Sequence, residues 1–292
     1  MAQPPLAETL TALFDGLPQQ LQAAARWVLD HPADVALLSM RDQARRAGVP
    51  PVTLTRLAKR LGFNGFDELK AIYAQSMRGR PDNFRDRAEE LVARRGIEGD
   101  AGLVAGLVRA QTGHLDTLAA PESVAALTTA ADRIVGADRV FCLGLRSAFP
   151  VAFVFHYVHA LFGATSVLMD GAGGIGADLL KTIGPRDVLL GVSVNPYARA
   201  TVEAARYARS RGAGVIAVTD SGLSPLGRLA DTAIVVATET PSFFHTMAPG
   251  FVAMECLAAM VAARRGPEAL AALTAAEDYL AAFDTYLSPA RR

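Results

Sequence analysis

The rhythm of hydrophobic and polar positions changes once along the chain. Up to about residue 78, apolar side chains recur every three or four positions and never alternate, which predicts helices and no strand. In QQLQAAARWVLDHP, Leu21, Ala25, Val28 and Leu29 share one stripe, and the helix is expected to stop at His31-Pro32. Ser39 is placed to cap a short helix through Ala47 that Gly48 breaks. Pro51 sits where a first-turn proline is tolerated, ahead of a helix over 52–61 that Gly62 closes, and 66–77 forms the next. Gly79-Arg80-Pro81-Asp82-Asn83 reads as a linker, followed by helical segments at about 84–95 and 101–118.

After residue 121, short apolar runs at 139–145, 165–169, 188–194, 214–219 and 233–237 alternate with helical stretches at 147–162, 198–211 and 225–229. Runs such as VLLGVSV and GVIAVT are apolar on both faces, as strands of a parallel sheet covered on both sides must be. Two long helical segments, 246–264 and 267–287, close the chain. The expected fold is an all-α domain over 1–78, a linker with connecting helices over 79–120, and an α/β domain over 121–292. The latter holds about five parallel strands flanked by helices.

Composition narrows the function classes. With 292 residues, 51% of them hydrophobic, there is apolar material for two cores, and disorder is excluded as the overall state. The 29 basic and 29 acidic residues cancel, yet residues 1–80 carry 10 bases and 7 acids, leaving the remainder with 19 and 22. Cys142 and Cys256 lie in apolar surroundings outside any CxxC or Cys/His cluster, so neither a zinc site nor a disulfide is expected. The amino terminus lacks a basic stretch leading into an apolar one. The most apolar run, 148–161, is too short for the roughly 20 residues of a membrane span. The expected protein is soluble and cytoplasmic, without membrane contact.

The positive half has a focus. Residues 39–62, SMRDQARRAGVPPVTLTRLAKRLG, read as a short helix, a glycine-containing turn and a second helix, the helix-turn-helix pattern. Leu54, Leu57 and Leu61 would face the domain core. Thr53, Thr55, Arg56, Lys59 and Arg60 are the candidates for phosphates and base edges in a major groove. Between residues 41 and 60 stand six bases and one acid. The segment AGVPPVTLTRLAKRLGFNGFDELK, with LLSMRDQA before it, resembles the N-terminal domain of the RpiR-type bacterial transcriptional regulators over about residues 5–78. That resemblance implies binding to double-stranded operator DNA. Pro50 departs from it, because a Ser or Thr often caps the recognition helix there and proline offers no side-chain oxygen.

Two turns in the second half are candidate anion sites. Gly144-Leu145-Arg146-Ser147 ends the first strand, and Ser193-Val194-Asn195-Pro196-Tyr197 ends the third, each just before a helix. Ligands of open α/β sheets bind beyond the carboxyl ends of strands, and helix N-termini favour anions. A third turn, 171–176, matches G-x-G-x-x-G. Its following helix is under two turns and no acid follows about 20 residues on at a strand end, so a dinucleotide cofactor is rejected. It reads instead as a Gly-rich loop beside the ligand mouth.

The serine turns, together with RGAGVIAVTDSGLSPLGRLADTAIVV, resemble the SIS domain, a phosphosugar-binding module, over about 120–265. The resemblance implies that Gly144, Ser147 and Ser193 help hold a sugar phosphate. Asn195, Pro196 and Ala198 depart from the usual serine, glycine and hydroxyl residue, and Arg146 and Arg199 are candidates to compensate as anion partners. The expected effector is therefore a phosphosugar or a similar small anion. The alternative is an aldose–ketose phosphate isomerase with an extra helical domain, for which His245 and Glu255 would be acid–base candidates. His156 and His159 are expected to pack with satisfied nitrogens, Trp27 to anchor the first core, and Phe243-Phe244 to be either core or a lid. The reading is a regulator that is a homodimer or homotetramer, with no cofactor, metal or catalytic residue.

Overall fold

A computed structural model of the chain describes residues 9–10, 13–31, 34–35, 38–77, 84–171 and 176–287. The chain divides into two units, Met1–Gly106 with Pro241–Phe244, and Leu107–Thr240 with His245–Arg292. The predicted linker over 79–83 lies outside the described residues, as does most of the Gly-rich loop, 172–175.

In the first unit, α1 (Gln19–Asp30), α2 (Met40–Ala47), α3 (Pro51–Arg60) and α4 (Phe66–Met77) enclose one core. Trp27, Val28, Leu54, Leu57, Phe66 and Leu69 are buried in it, Trp27 in the anchoring role expected of it. Ser39 caps α2: its hydroxyl accepts from the Asp42 N–H and donates to the Asp42 carboxylate. Gly48 ends α2 in the left-handed region at φ 65°, where a Cβ would be strained, so the chain turns directly into α3. Buried Gln43 ties α2 to the preceding segment by donating from Nε2 to the carbonyls of Val35 and Leu38.

Helix α5 (Phe84–Leu118) joins the two predicted segments into one run interrupted at Gly99, which adopts φ 67° and ψ −178°. Helix α6 (Pro121–Val135) was not foreseen. Its buried Leu127, Ala130, Ala131 and Ile134 have helical spacing, but two of the four are alanines and threonines lie between them.

The second unit holds a parallel sheet of β1 (Arg139–Gly144), β2 (Ser166–Leu168), β3 (Asp187–Val192), β4 (Gly214–Thr219) and β5 (Thr232–Val235), in the order β2-β1-β3-β4-β5. Alternation along the strands splits two cores. Val140, Cys142, Leu190, Ile216 and Val218 face α6, α7 (Phe149–Leu161) and α9 (Ala248–Arg265). Phe141, Leu143, Leu189, Val215 and Ala217 face α8 (Arg199–Ser210) and the 3-10 turn Gly176–Thr182. Helix α10 (Pro267–Ala282) ends five residues before the predicted 287.

The sheet is pinned at its amino-terminal end by Asp187. The Arg139 guanidinium donates to both carboxylate oxygens, at 2.7 and 3.0 Å, and the Gly184 N–H donates at 2.8 Å. Burial would raise the Asp187 pKa, but these hydrogen bonds and the charges of Arg139 and Arg186 hold it below the usual carboxylate value. Its contribution to stability is present above the unfolded pKa and lost as pH falls through the folded one. Asp187→Asn should therefore lower stability by about 2 kcal/mol at neutral pH and by less at acid pH, as read by urea unfolding.

Candidate functional site

The helix-turn-helix geometry sorts the candidates on α3. Leu54, Leu57 and Ala58 are buried, while Val52, Arg56, Lys59 and Arg60 are exposed. Thr53, expected on the outward side, is 5% exposed and belongs to the core face. The reason is helical pitch: position 53 lies about 40° from 57, which belongs to the leucine stripe. Thr55 is half-buried, and its hydroxyl is directed at the Met40 sulfur, 3.5 Å away. Among the described residues, Arg45 pairs with Asp42 and Arg46 with Asp34, whereas Arg41, Arg56, Lys59 and Arg60 make no ion pair. Val52, 52% exposed near the start of α3, was not singled out by the sequence. Its signal was an apolar residue off the leucine stripe, in the part of a recognition helix that meets base edges. The turn from Pro50 makes no side-chain cap, as its residue type implied.

In the sheet, the strand order reverses between β1 and β3, and Gly144 pairs with Val192 at their carboxyl ends. This is the switch point at which open α/β sheets bind ligands, and both serine turns leave from it. Gly144 is required there, because a Cβ would meet the Ala148 carbonyl oxygen at 2.3 Å. Arg146 is exposed with φ 57° and opens a 3-10 turn, Arg146–Ala148, so α7 begins only at Phe149 rather than at Ser147. Ser147 is hydrogen-bonded to His245 Nε2 at 2.7 Å, joining the first turn to the segment before α9.

Ser193 is 2% exposed and accepts from the Ala198 N–H at 3.1 Å, a structural bond that shapes the turn. Asn195 is exposed, follows Ser193 by two residues and leads into a cis bond to Pro196. Its N–H donates to the Asp220 carboxylate at 3.2 Å. A loop amide of the kind that cradles phosphate is thus already engaged by a carboxylate. Asp220 was not among the sequence candidates, and only the pairing of loops after β3 and β4 reveals it. Arg199 is the exposed first residue of α8, whose start carries no side-chain cap. Thr201, one turn in, is fully buried, and its hydroxyl has no partner among the described residues.

Glu255 is exposed on α9. Phe243 and Phe244 are both exposed. His156 hydrogen-bonds Ser166, but among the described residues neither ring nitrogen of His159 has a partner, correcting the expectation of satisfied nitrogens. The ring instead lies in an aromatic slot, stacked on Phe155 and edge-on to Phe162. The segment after the Gly-rich loop is a 3-10 turn, which provides no α-helical N-terminus for a dinucleotide pyrophosphate. Cys142 is buried, its thiol pushed up to about 12 by that burial, so it is inert; Cys256 is half-buried. No described helix is long and apolar enough to cross a membrane.

Comparison with known proteins decides the family. Residues 5–78 match the helix-turn-helix domain of the rpiR family, and residues 133–260 match the SIS domain. The chain thus joins an rpiR-family helix-turn-helix domain to a SIS domain, the architecture of a DNA-binding regulator. The regulator is 24% identical over 270 residues to the HTH-type transcriptional regulator HexR of Pseudomonas aeruginosa, covering 89% of this chain and 90% of HexR. It is 23% identical over 224 residues to an uncharacterised HTH-type transcriptional regulator of Caldanaerobacter subterraneus, covering 75% of each. Among solved structures, the sugar isomerase domain of an RpiR transcription factor from Sphaerobacter thermophilus superposes with TM-score 0.57 at 27% identity, over 60% of this chain and 98% of that one. The Vibrio vulnificus NanR protein complexed with ManNAc-6P superposes with TM-score 0.56 at 18% identity, over 96% and 99%, and shares the fold.

Proposed function

We propose that the regulator is a one-component switch in the cytoplasm: its helix-turn-helix unit reads operator DNA, and its SIS unit senses a phosphosugar or a related small anion. The observation that carries the reading is the pair of serine turns leaving the switch point of the sheet, in a chain whose other unit bears a basic helix face that makes no ion pair among the described residues. NanR, of the same fold, was solved with a phosphosugar, which supports that ligand class. Arg56, Lys59 and Arg60, with Val52, form the DNA-reading set; Gly144, Arg146, Ser147, Ser193, Asn195 and Arg199 form the effector set. Two copies of α3 in a homodimer or homotetramer would enter successive major grooves, about 34–36 Å apart. The effector must bind the DNA-competent and incompetent states with different affinity, or it shifts nothing.

The isomerase alternative is not favoured, because Glu255 is exposed on α9 and the hydroxyls usual at 195 and 198 are missing. The test is a binding titration of the full chain on its own upstream DNA against random duplex at physiological salt, with and without a panel of sugar phosphates. No preference for the upstream sequence would sink the reading. Arg56→Ala should weaken specific binding by about 1–3 kcal/mol and relax the preference at one base position. Lys59→Ala should instead weaken binding evenly across sequences and reduce the salt slope by about 1, as a phosphate contact would.

A further inference from the structure

Beside the serine turns, on the sheet face covered by α8, an open cleft of about 600 Å³ lies between α8 and the 3-10 turn Gly176–Thr182. Its floor and walls are Leu143, Leu145, Met169, Leu180, Ala204 and Tyr207. Leu143, Met169, Leu180 and Ala204 are otherwise buried, so they are core side chains that meet empty space on one side. Apolar surface that lines an open cleft is stabilised when a matching apolar group covers it and displaces water. The volume falls within the roughly 300–1,000 Å³ of small-molecule sites.

The charges near the cleft are engaged by their own neighbours. Lys181 pairs with Asp178 at 2.8 Å, and Glu203 pairs with Arg206 at 2.6 Å. Among the described residues, the cleft therefore presents apolar surface with no free charge of its own to attract an ion. It adjoins the anion candidates in sequence, since Leu145 precedes Arg146 and the lining residue Ala200 follows Arg199. Near those arginines, the polar groups that would grip a compact, doubly charged phosphate are reduced. Position 198 is alanine, and the Asn195 N–H is taken by Asp220.

We propose that the effector is an anion bearing an apolar substituent, such as an acyl or alkyl group, with the substituent seated in the cleft between α8 and the 176–182 turn. This rests on the anion-sensing reading above and narrows it: recognition is shared between a modest anion contact and a larger apolar one. Each fully buried methylene raises affinity by up to about fourfold. Even partial burial of a six-carbon chain should therefore exceed a tenfold gain.

The test titrates the full-length protein by calorimetry with three probes: inorganic phosphate, hexyl phosphate and the neutral hexyl glucoside. Hexyl phosphate is expected to bind at least about tenfold more tightly than inorganic phosphate. Ala200→Trp, at an exposed position on the cleft wall, should abolish that difference, with a melting curve confirming that the variant folds. Tyr207→Ala, also at an exposed position, should shrink the difference severalfold. Equal binding of the two phosphates, or a difference that survives Ala200→Trp, overturns the apolar subsite while leaving anion sensing intact. Binding of hexyl glucoside as tight as hexyl phosphate, and lost in Ala200→Trp, would uphold the cleft and remove the anion from the effector.

Discussion

Gly144→Ala is expected to silence the effector response while leaving operator binding by the head in place. The added methyl would lie 2.3 Å from the carbonyl oxygen of Ala148, 2.8 Å from its carbon and 3.1 Å from the Ala152 Cβ. Two of these atoms are backbone, so no side-chain rotation relieves the clash. The turn over 145–148 must move away from β1. That turn carries Arg146 and Ser147, and its displacement pulls the Ser147 hydroxyl from His245 Nε2. Overpacking against backbone costs about 3 kcal/mol or more, enough to lower the melting temperature of the sheet unit by several degrees. The head has its own core, centred on Leu54, Leu57 and Trp27, which the substitution does not touch. Gly136→Ala is the control, because its Cβ would find nothing closer than 3.7 Å. An unchanged effector titration in Gly144→Ala would show that the 145–148 turn does not form the sensing site.

Acid should destabilise the sheet unit through His159. The ring is 1% exposed, and burial first, then the positive charges of Arg265 and His156, lower its pKa from 6.5 to about 4. The unfolded chain takes up a proton below about 6.5, whereas the folded protein does so only near 4, so stability is complete above pH 6.5 and falls as pH drops between those values. The integrated loss is about 3 kcal/mol at most. His156, also lowered by burial, adds to the loss with the same sign. Neither His159 nitrogen has a hydrogen-bond partner among the described residues, so phenylalanine can replace it without breaking one there. His159→Phe should keep the stacking on Phe155 and flatten the decline between pH 7 and pH 4.5 in urea unfolding. The same slope in variant and parent would assign the acid sensitivity to other groups.

Both effects depend on features that residue order shows only in part. GLRSAF announces a turn at a strand end, but nothing in it says that Ala148 folds back against Gly144. FVFHYVHALF reads as an apolar helix containing two histidines. Only packing separates His156, which finds Ser166, from His159, which finds two aromatic rings. The strands were legible because parallel strands covered on both faces are continuous apolar runs. The recognition helix was legible because a leucine stripe and a basic stripe share one helical period. Helix α6 was not, because half of its buried face is alanine, which carries little periodic signal.

By itself, then, the sequence determined an all-helical basic head ahead of a parallel α/β unit, and the two serine turns between strands and helices. These follow from local periodicity and turn chemistry. The tertiary structure decided which groups remain available. It turned Thr53 inward and tied Thr55 to Met40. It gave Ser147 to His245 and the Asn195 amide to Asp220, and it opened an apolar cleft beside them. The physical reason is that a hydrogen bond or a cavity between residues far apart in the chain depends on how elements pack, and no local pattern encodes that.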